Sequence, residues 1–180
     1  MTESPASLDE EIESGEEDLP EDDVERLHGS AVVVNNNQTV VHTGKSEYHD
    51  LIQSLNDDGY GVCVDLCGVD YLGNDTRSLP VSVTAERFEL VVNLLDVQDS
   101  RRLRVRVQLP EEAPTIPTIT DIHPGAEAME REANDMFGLE FEVHPDPTPI
   151  LLPDDWKGHP LRKDYSMGRI PVQFKAVDGR

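Results

Sequence analysis

Residues 101–109, Arg-Arg-Leu-Arg-Val-Arg-Val-Gln-Leu, constrain the fold of this chain more than any other stretch. Leu103, Val105, Val107 and Leu109 fall on one side of an extended backbone, and Arg102, Arg104, Arg106 and Gln108 on the other. Strict alternation of this kind reads as a half-buried strand, apolar face inward. The preceding run, Phe88 to Val97, is a strongly apolar second strand, and Gln98-Asp99-Ser100 turns the chain between the two. The pair is therefore expected to be antiparallel.

Other elements follow from the same kind of pattern. Val32–Val34 and Val40–Val41 flank Asn35-Asn36-Asn37 and read as a short strand pair or one broken strand. Tyr48, Leu51, Ile52 and Leu55 recur at i, i+3, i+4 and i+7, one apolar stripe of a helix with Ser46 as N-cap and Gly59 as its stop. A strand through Val62, Val64 and Leu66 runs towards Tyr71, and Leu72–Pro80 reads as a loop. A second helix spans about Ala126–Phe137, with Met129, Ala133, Met136 and Phe137 inward, a Glu127/Arg131 pair at i, i+4, and Gly138 as its C-terminal stop. Beyond Phe141, prolines at 145, 147, 149, 153 and 160 exclude a helix or a central strand. The expected architecture is α+β. An antiparallel sheet and two main helices fill a domain over 28–140, between a disordered acidic N-terminal tail (1–27) and an extended Pro-rich C-terminal arm (141–180).

Charge narrows the function. Of 37 acidic residues, twelve lie in residues 1–25, which hold no Lys or Arg. That composition cannot offset the entropy of ordering. A formal net charge of -22 argues against nucleic acid and anionic lipid as partners. No apolar run is long enough to span a membrane, and residues 1–25 lack the order of a signal peptide. The chain is expected to be cytoplasmic, meeting membrane only through partners. Against this acidity Arg101, Arg102, Arg104 and Arg106 form a cationic row, either a solvated strand face or a contact for the acidic tail or an acidic partner.

Catalytic signatures are not found. There is no Gly-rich phosphate loop and no Gly-x-Ser-x-Gly elbow. Cys63 and Cys67 are the only cysteines. On a regular strand they share a face roughly 13 Å apart, too far for a disulfide, and read as buried thiols. Two thiols do not hold an iron–sulfur cluster. The six histidines show no ligand spacing. Asp154 and Asp155 point to opposite sides of an extended chain and read as a turn. Trp156, the sole tryptophan, and Arg162-Lys163-Asp164-Tyr165 are contact residues in a segment with no core of its own.

Three blocks at linked spacing carry a resemblance. They are Glu130-Arg-Glu-Ala-Asn-Asp-Met-Phe-Gly138, Leu139-Glu-Phe-Glu-Val-His-Pro-Asp146, and Ile150-Leu-Leu-Pro-Asp-Asp-Trp-Lys-Gly-His-Pro-Leu-Arg-Lys-Asp-Tyr165. Together they resemble the C-type, thirty-kilodalton subunit family of NADH-quinone oxidoreductase (respiratory complex I). The sequence departs from the family where Pro147-Thr148-Pro149 replaces a Leu-Arg-Arg run, Val143 replaces a glycine and Ala128 a tryptophan. The resemblance implies a peripheral-arm subunit on the cytoplasmic side of the cell membrane, without catalytic residues or cofactors of its own. FMN, iron–sulfur clusters and quinone would be held by partner subunits, chiefly the D-type subunit that forms the quinone pocket and the iron–sulfur subunits. It further implies that Glu130, Arg131, Glu132 and Asp135, on the polar face of the second helix, and Asp154, Trp156, His159, Arg162, Lys163, Asp164 and Tyr165 make intersubunit or arm-to-domain contacts. The same subunit type occurs in membrane-bound hydrogenases and dehydrogenases fed by other donors, which is the alternative reading.

Overall fold

A computed structural model describes residues 25–35, 38–74 and 76–166. The strands are β1 (Arg26–Leu27), β2 (Ser30–Asn35), β3 (Gln38–Thr43), β4 (Val62–Asp70), β5 (Phe88–Asp96), β6 (Arg101–Leu109), β7 (Thr115–Pro117) and β8 (Glu140–Glu142). The helices are α1 (Tyr48–Asp57) and α2 (Glu127–Phe137), the latter entered through a 3₁₀ turn at Pro124–Ala126. The α+β class holds. The main sheet runs β1-β2-β3-β6-β5-β4, and β7 and β8 form a separate parallel pair.

The sheet is antiparallel except where β3 lies parallel to β6. The cause is α1, which carries the chain back across the sheet so that β4 runs in the direction of β3. The meander β4-β5-β6 then fills the gap and brings β6 against β3. Alternation in β6 behaves as expected: Leu103, Val105, Val107 and Leu109 are buried beneath α1 and α2 together with Phe88, Leu90, Val92 and Leu94 of β5. Tyr48, Leu51, Ile52 and Leu55 are the buried stripe of α1.

Four local expectations are corrected. Glu47, not Ser46, occupies the α1 N-cap, and the Ser46 hydroxyl donates instead to the Glu47 carboxylate at 2.9 Å. Arg26 and Leu27, placed in the tail by composition, pair with β2 as β1. Residues 1–24 and 167–180 lie outside the described residues. The cysteines do not share a face, because a bulge between Cys63 and Asp65 inserts an extra residue and reverses the alternation beyond it. Nor are both thiols buried: Cys63 packs against the core while Cys67 is exposed on the opposite side. Burial, the largest cause, pushes the Cys63 thiol up to about 11, and it raises that of Cys67 as well.

Candidate interaction site around the second helix

The charged residues of α2 do not form a uniform polar face. Pro124 sets the backbone for the preceding turn, and Glu127 and Glu130 place negative charge in the first turn of α2, where the helix dipole favours it. Glu127 pairs with Arg131 at 3.0 Å. Glu130, expected on the polar face, is instead fully buried. Its carboxylate accepts the Thr118 hydroxyl at 2.5 Å and the Ile119 backbone N–H at 2.9 Å, and stands 3.6 Å from His144 Nε2. Burial, the largest cause, raises its pKa, while the bonds from Thr118 and Ile119 pull the other way. Glu132 is exposed.

Asp135 is also buried, for a different purpose. Its Oδ2 accepts three successive backbone N–H groups, from Ile150 at 2.9 Å, Leu151 at 2.7 Å and Leu152 at 3.2 Å. This is the nest geometry by which backbone amides hold an anion, turned inward to fix the chain's own segment. Arg131 adds to the hold through Thr148 O at 2.8 Å and Thr148 Oγ1 at 2.9 Å, with Asp146 at 3.4 Å.

The end of α2 is closed by residues 159–165. A helix leaves its last carbonyls without partners. Here His159 Nδ1 donates to Asp135 O at 3.0 Å, Leu161 N–H to Met136 O at 3.0 Å, and Arg162 Nε to Phe137 O at 2.6 Å. The Arg162 guanidinium also sits over the Phe88 ring at 4.8 Å, a cation placed at the negative end of the helix dipole. Gly138 makes room for this collar. It adopts φ +69°, and a Cβ there would lie 2.5 Å from His159 Nε2.

The collar is tied to the sheet by charge. Lys163 contributes its backbone N–H, which donates to Asp70 Oδ2 at 2.8 Å, rather than its side chain. Asp164 pairs with Arg87 at 2.8 Å, and Arg87 reaches Asp70 through two bonds of 3.1 and 3.2 Å and also meets Glu111. Burial alone would raise the Asp70 carboxyl, but the bonds from Arg87, Lys163 and Leu72 hold it below the ordinary range. Tyr165 is half-buried, its ring against Gly158. Trp156 is half-buried with its indole N–H unpartnered among the described residues. Asp154 is exposed.

The structure thus brings Arg131, Asp135, His159, Arg162, Lys163 and Asp164 into one clasp between α2, the sheet and segment 146–165. Glu132, Asp154, Trp156 and Tyr165 stand outside its side-chain hydrogen bonds. Asp70, Arg87, Thr118 and His144 belong to the same construction and were not singled out from sequence. Their long-range partners lie 12 to 93 residues away, beyond the reach of any local pattern. Among the described residues no group of three or more His, Cys, Asp or Glu is disposed to hold a metal ion.

Val143 marks the start of the clasped segment and is strained. Its φ is +62° with the side chain 92% exposed. A β-branched residue in the left-handed region costs about 1–2 kcal/mol, against about 0.5–1 kcal/mol of extra chain entropy for glycine. Val143→Gly should therefore raise the melting temperature by about 2–4 °C. An unchanged or lower value in a thermal melt would mean the strain is relieved elsewhere.

Comparison with known proteins places these observations in context. The family described as Respiratory-chain NADH dehydrogenase, 30 Kd subunit, matches residues 41–170. The C-type subunit of NADH-quinone oxidoreductase from Salinispora arenicola is 38% identical over 150 residues, covering 82% of this chain and 58% of that protein. The chain thus spans less than three fifths of that relative's length. Among solved structures, a trypsin-resistant fragment of Nqo5 superposes with a TM-score of 0.58 at 32% identity, covering 66% of this chain and 89% of that one. A chain of an archaeal membrane-bound sulfane sulfur reductase shares the fold at 23% identity, with a TM-score of 0.64 and coverage of 77% and 78%.

Proposed function

Since this chain belongs to the respiratory-chain NADH dehydrogenase 30 kDa subunit family, we propose that it is a non-catalytic peripheral-arm subunit of a proton-translocating NADH-quinone oxidoreductase. Electrons pass in such a complex from NADH through FMN and iron–sulfur centres to quinone. This chain contributes shape and cohesion to that path, and the cofactors are carried by neighbouring subunits, chiefly the quinone-pocket and iron–sulfur subunits. The observation that carries the reading is the family match across residues 41–170, which takes in the second half of β3, strands β4 to β8, α1, α2 and the whole clasp.

The geometry supports it. Arg131, Asp135, Arg162 and Asp164 are engaged with backbone groups, with neighbouring side chains and with the sheet. A clasp of this kind holds the segment rigidly against the domain, as a part that must fit between neighbours requires. No described helix is long and apolar enough to cross a membrane. In this reading the chain sits peripherally, on the cytoplasmic side, attached through partners.

The test is affinity purification of the tagged chain from gently solubilised native membranes, with mass spectrometry and NADH-quinone activity on the eluate. Flavin-binding, iron–sulfur and quinone-pocket subunits with NADH-driven activity are the expected result. Another donor module in place of the flavin-binding one would assign the chain to a hydrogenase-type complex, and recovery of the chain alone would overturn the subunit reading.

A further inference from the structure

The two faces of the main sheet are treated differently. The helices cover the inner face. On the outer face, residues 71–74 and 76–87 fold over one end only. There Arg77 sits above the Tyr71 ring at 4.0 Å, and Glu89 is fully buried, receiving Arg106 Nε at 2.7 Å and the Tyr71 hydroxyl at 3.3 Å. Beyond Val91 no described element lies over the sheet. This open half carries Val91, Asn93 and Leu95 of β5, Arg102 and Arg104 of β6, and Cys67 of β4. A shallow depression of about 280 Å³ lies at Asn93, Arg102 and Arg104, bounded by Gln38, Val64 and Asp65.

The charge here is unlike the rest of the molecule. Arg101 and Arg106 are neutralised by Asp96 and Glu89. Among the described residues Arg102 has no ion-pair partner, and Arg104 bonds only to the Asn93 amide oxygen, at 2.9 Å. In a chain of formal charge -22, two guanidinium groups without carboxylate partners sit beside half-buried Val91 and Leu95 on a rigid central strand pair.

We propose that this open half of the outer face is the docking surface for a neighbouring subunit that presents carboxylates to Arg102 and Arg104 and apolar side chains to Val91 and Leu95. The inference rests on the subunit reading above and specifies where on the chain a partner binds. Guanidinium groups pair with carboxylates through parallel hydrogen bonds, which gives direction as well as attraction. A second copy of this chain is disfavoured, because a two-fold interface gathers four arginines without carboxylate partners into one patch. The net charge repels nucleic acid and anionic lipid.

Cys67 lies exposed on the same face and serves as a reporter. Its alkylation by N-ethylmaleimide is measured by mass spectrometry in the purified complex and in the isolated full chain. At least tenfold slower reaction in the complex is expected. The double variant R102E/R104E should enter the complex at less than a tenth of the wild-type level while keeping the wild-type melting temperature. Equal Cys67 rates in the two states, or normal incorporation of the double variant, overturns the proposal. Deleting residues 1–24 tests the rival occupant: if that deletion alone exposes Cys67 in the free chain, the chain's own acidic segment covers the face and the proposal fails. Recovery of the chain without partners overturns the subunit reading and this surface with it, whereas recovery in a complex with Cys67 unprotected overturns this surface alone.

Discussion

Glu130→Ala should lower the stability of the fold by about 3 kcal/mol at neutral pH, while Glu130→Gln should cost far less. The alanine leaves the buried Ile119 amide without an acceptor and the Thr118 hydroxyl with Thr120 Oγ1 alone, at 3.0 Å; an unsatisfied buried donor costs about 1–3 kcal/mol, and the cavity left by the truncated side chain adds to it. Glutamine can keep its one oxygen on the Ile119 N–H and turn its NH2 to the Thr118 hydroxyl, which then accepts. The two variants also separate hydrogen bonding from charge. Burial raises the Glu130 carboxyl above its ordinary 4.5, so the folded state binds this proton more tightly than the unfolded chain does. Its contribution to stability is then greatest below the ordinary value and is lost as pH rises through the raised one. Urea melts of wild type and Glu130→Gln across pH 5 to 8 should show wild type losing ground to the variant as pH rises. A constant gap would mean that Glu130 does not titrate differently on folding, and a stable Glu130→Ala would remove it from the framework of the site.

Gly138→Ala is expected to cost about 3 kcal/mol as well, by two routes that can be told apart. The left-handed conformation at φ +69° disfavours any side chain by about 1–2 kcal/mol. The new methyl group also overlaps His159 Nε2 and Arg162 Nη2, at 2.5 and 2.6 Å, and displaces both from the carbonyls they cap. A loss of one charge-assisted bond there is about 1.5–3 kcal/mol, partly recovered by water at this half-exposed end. Thermal melts of Gly138→Ala, His159→Ala and the double variant form a cycle. The double variant should be less destabilised than the sum of the singles, because truncating His159 removes one overlap. Strict additivity would mean that the backbone strain acts alone and that the collar yields without cost. Hydrogen exchange at residues 159–165 should quicken in Gly138→Ala more than exchange in β5 and β6 does, since the collar opens before the core.

The same residues show how far the sequence could be read. Gly138 was legible as a helix stop because the need for a left-handed residue after a helix is local. Its second role, space for His159 and Arg162, was not, since those side chains return from more than twenty residues away. Asp135 and Glu130 looked like surface charges because helical periodicity assigns a face, not a partner. Each is buried because a distant backbone donor comes to it: Ile119 for Glu130, and Ile150, Leu151 and Leu152 for Asp135. Three linked blocks nevertheless marked this region as the informative one, and the family match covers it.

The period-2 alternation of β6, the apolar run of β5, the stripe of α1, and the proline spacing after Phe141 were determined by the sequence by itself. Each expresses steric and hydrophobic preferences over a few neighbouring residues. Only the tertiary structure decided that β6 lies parallel to β3, that a bulge turns Cys67 outward, and that Lys163 meets Asp70 across 93 residues of chain. These are choices among long-range pairings. The energy that selects them comes from burying several elements at once, and no single segment carries it.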